Sequence, residues 1–156
     1  MSDYQTVEVP ITVTLAAYTA NDVVGGLLTS DAIKQIQGRS YIQWVRLIDG
    51  ATQAEPFLLY VFTAVPSTIA DSAAFAPLEA DWAKCAGSIS IPAANYDTFG
   101  SEADCAWAAG KDRKTNEFIT FGNSLTGKLY FYLVAVETPD YAAVTDLTLH
   151  LNIMTE

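Results

Sequence analysis

The chain has 156 residues, eight Lys and Arg against 18 Asp and Glu, and a formal net charge of −10. That balance excludes the clustered cations that a phosphate backbone or an anionic membrane surface requires. The hydrophobic fraction of 51%, with three Trp, eight Tyr and seven Phe, excludes intrinsic disorder, and the length fits a single domain spanning 1–156.

Met1-Ser2-Asp3-Tyr4 opens with neither a basic nor an apolar targeting region, so synthesis in a cytosol without a signal peptide is expected. From Val7 to Leu15 the odd positions Val7, Val9, Ile11, Val13 and Leu15 are apolar and the even ones polar or Pro10, the mark of a half-buried strand. Pro10 lacks a ladder donor and points to an edge or a bulge. Val23–Thr29 reads as a further strand, with Gly25-Gly26 as a turn. Ser30–Gln37 reads as a second short helix capped by Ser30, or as a strand end. Tyr41–Asp49 is β-branched and aromatic and ends in the turn signal Asp49-Gly50. Phe57–Thr63 is apolar on both faces. Pro77–Gly87 predicts one short helix, with Pro at its start, acids in its first turn and Gly as its stop, burying Leu78, Trp82 and Cys85 against the sandwich.

Gly87–Ile91, Ala106–Ala108 and Glu117–Phe121 are shorter strands. Leu129–Val136 is again apolar on both faces, and Leu147–Ile153 alternates as cleanly as the first strand. Many short strands separated by Gly, Pro, Asn and Asp predict an all-β fold, a two-sheet antiparallel β-sandwich, jelly-roll-like, with one short helix. Val9, Ile11, Val13, Leu147, Leu149 and Leu151 are its expected core.

Chemistry is sparse. His150 is the single histidine and lies on the polar face of a strand, so no zinc site and no catalytic triad can be completed around it. No G-x-S-x-G elbow exists. Glu79 and Asp81 diverge on a helix, and Glu102 with Asp104 lacks the spacing of a calcium loop. No enzyme, cofactor or metal is expected. Cys85 and Cys105 read as reduced thiols. Lys111, Arg113 and Lys114 form the one basic cluster, which is either a docking site for an acidic surface or a solvated hairpin tip. Strand aromatics such as Tyr41, Trp44, Tyr60 and Tyr132 offer a sugar-stacking platform or, as is commoner, core and interface. An exposed Trp44 or Trp107 lining a groove favours the sugar reading, and burial of both removes it.

Four phrases in a fixed order carry a resemblance. They are Tyr18-x-x-x-Asp22-Val23-x-Gly25, Arg46-Leu47-Ile48-Asp49-Gly50, Ile69-Ala70-Asp71-Ser72-Ala73-Ala74-Phe75 ahead of the short helix, and Tyr141-x-Ala143-x-x-x-Leu147-x-Leu149-x-Leu151. Together they cover most of Thr12–Ile153 and resemble a family of small virion proteins of tailed bacteriophages, of the capsid decoration or cement type. The chain has Asp71-Ser72 where members of that family favour Asp-Asn. The resemblance implies a structural protein on the outer surface of a phage head, made in the host cytoplasm and bound to the major capsid protein; the charge balance already argues against nucleic acid or membrane as partner. It carries over no catalytic residue. The alternative is a carbohydrate- or receptor-binding β-sandwich module of a phage fibre.

The two-sided strands add an expectation of their own. With Leu59, Val61, Phe131 and Leu133 inside, Leu58, Tyr60, Phe62, Tyr130, Tyr132 and Val134 face outward, more apolar surface than a monomer ordinarily exposes. These six are the candidate interface residues of a homo-oligomer, a homotrimer by resemblance to decoration proteins. The competing expectation is that 73–87 and 93–116 cover them within one chain.

Overall fold

A computed structural model describes residues 3–33, 39–98, 102–122 and 127–155. Its strands are β1 (Asp3–Val9), β2 (Val23–Thr29), β3 (Ser40–Asp49), β4 (Phe57–Phe62), β5 (Cys85–Ile91), β6 (Tyr96–Asp97), β7 (Asp104–Ala109), β8 (Thr120–Phe121), β9 (Tyr130–Ala135) and β10 (Leu147–Thr155), with one α-helix among the described residues, α1 (Glu79–Trp82), and a 3-10 turn at Ala93–Asn95. The larger sheet runs β1-β10-β3-β7-β6, with β8 also paired to β3, and the smaller runs β2-β9-β4-β5. Every pairing is antiparallel. Once the two-residue strands are set aside, eight remain. By rank in the chain they lie 1-8-3-6 in one sheet and 2-7-4-5 in the other, which is the jelly-roll order of two interleaved Greek keys.

The inner faces meet in one cluster that contains Val9, Leu149 and Leu47 from the larger sheet and Leu59, Phe131 and Ile89 from the smaller. The six expected core residues are all buried. The terminal strands pair directly, Val7 opposite Leu151 and Val9 opposite Leu149. The alternation from Val7 is only partly ladder, because the strand ends at Val9 and Pro10 offers no donor to continue it. Ile11 and Val13 stay buried, but Leu15 is exposed, contrary to expectation.

The motif residues sit at the joints of this fold. The Tyr18 hydroxyl donates to Asp71 Oδ1 (2.8 Å) and accepts from the Thr14 amide (2.8 Å), while the Gly25 amide donates to the same Asp71 oxygen (2.7 Å). Gly25 has φ +82°, and a Cβ there would lie 2.9 Å from Ile11 Cγ2, so only glycine fits. Asp49 is buried and gathers the amides of Ala51, Gln53 and Ala54 at 2.9–3.1 Å, closing the turn after β3. Burial raises its pKa, against the pull of those three amides. Tyr141 is buried against Tyr18, ring centroids 6.2 Å apart.

One helix expectation needs correction. The predicted helix over Pro77–Gly87 is the single turn α1, followed at once by β5. Leu78 faces solvent, the half-exposed Trp82 sets its ring edge-on to Tyr60 and Phe75, Cys85 is half-buried, and Asp81 is the buried residue, accepting the amides of Ser67 (2.8 Å) and Leu78 (3.0 Å). An inward carboxylate with that many donors displaces the apolar face that the spacing suggested. Ser30, just past the end of β2, accepts the Leu129 amide on its hydroxyl at 3.0 Å. The helix or strand end expected over Ser30–Gln37 runs on into 34–38, outside the described residues.

Candidate functional site

The six residues expected at a subunit interface do share the outer face of the smaller sheet, as the alternation predicts, but they do not form an exposed apolar surface. Phe62, Tyr130, Tyr132 and Val134 are buried, and Leu58 and Tyr60 are half-buried around the same cluster with Leu27, Ile69 and Phe75. The cover is the chain's own connection from β4 to α1. The Tyr132 hydroxyl donates to the Ser67 carbonyl and accepts the Ile69 amide. Ser72 N–H donates to Val23 C=O, and Val23 N–H to Ala73 C=O. Phe75 lies on Tyr60 (centroids 4.4 Å) and Tyr132 (5.7 Å). This strap begins about ten residues before the expected cover at 73–87. The exposed-face argument for a homotrimer therefore lapses.

The basic cluster divides. The Arg113 guanidinium donates from Nε to Ser88 Oγ (2.9 Å) and from Nη2 to the Tyr60 hydroxyl (3.2 Å), pinning the hairpin tip to the smaller sheet. Asp112 shapes that tip by accepting the amides of Ser88, Lys114 and Thr115. Burial pushes the Asp112 carboxyl up, but these hydrogen bonds outweigh it and hold its pKa below the ordinary value. Lys111 lies over the Phe118 ring at 5.1 Å. The Lys114 side chain is exposed.

What the described residues leave open is the outer face of the larger sheet. Trp107 of β7 is 44% exposed and meets Trp44 of β3 edge-on (centroids 5.0 Å, 62°), with the Arg46 guanidinium 5.3 Å over the Trp107 ring. Register places Glu8, His150, Arg46 and Trp107 in one row across β1, β10, β3 and β7, and Asn152 beside Trp44 in the next. A bulge leaves Gln43 as the extra residue between Ile42 and Trp44 and turns its side chain to solvent. Farther along β3, Tyr41 packs on Phe118 at 5.1 Å. There the face falls into an open groove of about 560 Å³ lined by Arg39, Tyr41, Lys111, Asn116, Glu117, Phe118 and Thr120.

Arg46 Nε, His150 Nδ1 and Asn152 Oδ1 are buried and have no hydrogen-bond partner among the described residues. The lone histidine thus sits where the sequence put it, on the polar face. Its neighbours could be found only from strand order. Among the described residues, no His, Cys, Asp and Glu form a metal-holding group. Cys85 and Cys105 are free and lie on different sheets, and burial raises the pKa of each thiol.

No family model and no curated protein matches the chain. Among solved structures it is similar to a chain of the mud crab dicistrovirus structure determined by cryo-electron microscopy. The match has 12% identity and a TM-score of 0.30 and spans 99% of this chain and 67% of that one. A likeness that loose carries no argument about function.

Proposed function

We propose that the chain is a structural protein of a virion, a decoration or cement protein that binds the outer surface of a tailed-phage head and stabilises it. The observation that carries the reading is the coincidence of two features. The strand order is that of a jelly roll, an architecture used by viral capsid domains. The residues that resemble the phage family, among them Tyr18, Gly25, Asp49, Asp71 and Tyr141, sit at the joints of that same fold. The resemblance is therefore one of fold, and function follows from it by analogy. The partner in this reading is the major capsid protein, the site of synthesis is the host cytoplasm, and any trimer is built on a surface other than the strapped face.

Quantitative mass spectrometry of purified particles tests this. Copies in the hundreds per particle support a head decoration role, and absence from the particle overturns it. A second reading, a carbohydrate- or receptor-binding module of a fibre, draws on the half-exposed Trp107 beside Trp44. It requires a handful of copies per particle.

A further inference from the structure

We infer that the outer face of the larger sheet is the surface by which the chain docks, and that its occupant is a protein surface presenting carboxylates around an apolar patch. The inference rests on the decoration reading and names the face that reading needs. Charge is the first argument. In a chain of net charge −10, no outward side chain of β10, β3 or β7 is a carboxylate, while Arg46 and His150 stand at the centre of the face. Carboxylates stand only at its borders: Glu8 on edge strand β1 opposite His150, Asp97 on edge strand β6 opposite Cys105, and Glu117 in the groove wall. An acidic protein that keeps the centre of one face free of acid has a surface that a carboxylate-bearing partner can approach.

Composition is the second argument. Trp107, Trp44, Tyr41, Phe118 and Arg46 belong to the residue types that concentrate binding energy at protein interfaces. Both cations are held in place over rings, Arg46 on Trp107 and Lys111 on Phe118, so little side-chain freedom is lost when a carboxylate pairs with them.

Unmet hydrogen bonding is the third. Asn152 is 5% exposed with Oδ1 unpartnered, and Arg46 Nε and His150 Nδ1 on the adjoining row are equally unpartnered. Buried polar atoms rarely stay that way. Three cluster on this one face, each itself closed to solvent, so an incoming group meets them only once these side chains turn outward. A sugar fits less well. Arg46 caps the Trp107 ring, and the two indoles meet at 62° rather than forming the flat platform a pyranose needs.

The experiment is co-sedimentation with heads stripped of the chain, taken from the phage whose genome encodes it. It uses the wild type, Trp107→Ser, Arg46→Glu and, on the strap over the opposite sheet, Leu78→Ser. All three side chains point outward, and circular dichroism confirms folding. The inference expects Trp107→Ser and Arg46→Glu to bind at least tenfold more weakly and Leu78→Ser to bind as wild type does. Wild-type binding that survives both substitutions overturns the docking face and leaves the decoration reading standing. Loss on Leu78→Ser alone moves the interface to the strap and likewise overturns it. No wild-type binding overturns the reading and the inference together. Head binding that is unchanged in Trp107→Ser, with loss of a glycan-array signal, assigns the face to a sugar instead.

Discussion

Tyr18→Phe removes one oxygen from a joint that holds three segments of the chain. That hydroxyl accepts the Thr14 amide and donates to Asp71, which also holds the Gly25 amide. Tyr18 is 1% exposed, and burial raises its pKa, so it remains a neutral donor at any ordinary pH. The ring of the variant still packs on Tyr141. The loss is therefore two hydrogen bonds, one of them to a carboxylate, with the Thr14 amide left unpaired. Together these cost about 2–3 kcal/mol. For a domain of this length that corresponds to a fall in Tm of roughly 5–10 °C.

Differential scanning calorimetry measures the shift, and the double variant with Asp71→Ala tests its origin. If the hydroxyl acts through Asp71, the two losses overlap by at least about 0.5 kcal/mol. A Tm change under about 1 °C, or full additivity, refutes the idea that the motif residues are there to join segments of the fold. Head binding by Tyr18→Phe below its Tm should match wild type.

Gly110→Ala places a Cβ 2.0 Å from the Ile42 carbonyl oxygen. Backbone must move, so urea denaturation should show a loss above about 3 kcal/mol. Tyr132→Phe should loosen the strap while keeping the ring in place, seen as faster amide exchange at Ile69 with β9 still protected. The Ser67 amide at Asp81 and the Ser88 amide at Asp112 help hold both carboxyls below their ordinary value of 3.8. Their contribution is therefore present above that pH and lost as pH falls through the folded values. Asp49, raised by burial, works in the opposite sense: its contribution is present below 3.8 and lost as pH rises through its folded value. Asp81→Asn should accordingly flatten the acid limb of the Tm–pH curve, and an unchanged limb would contradict the assignment. Light scattering of the purified chain should give a mass near 16.8 kDa, because its two-sided strands are covered internally. A trimer mass would point to a second self-complementary surface.

The fold was legible wherever one face of a strand is wet. At β1 and β10 the alternation of apolar and polar residues assigned the buried side without help from neighbours. At β4 and β9 the same logic sorted inner from outer residues but left open what meets the outer ones. The strap that covers Tyr132 and Phe62 has no periodicity to read. It is held by backbone amides, a tyrosine hydroxyl and two apolar anchors, Ile69 and Phe75. At α1 the spacing of Leu78 and Trp82 suggested an apolar inner face, whereas a buried carboxylate occupies it. Asp81 in the first turn was the available signal.

The docking face was legible in its parts only. Arg46 between Val45 and Leu47, and Trp107 between Ala106 and Ala108, are outward by alternation. That Trp107, Arg46 and His150 share one row depends on β3 lying between β7 and β10, which no local pattern encodes.

Cryo-electron microscopy of the mature particle tests the central claim most directly. The account predicts jelly-roll density on the exterior of the head, with the Trp107 and Arg46 face turned toward the shell. Density confined to a fibre, or heads carrying none, would contradict it.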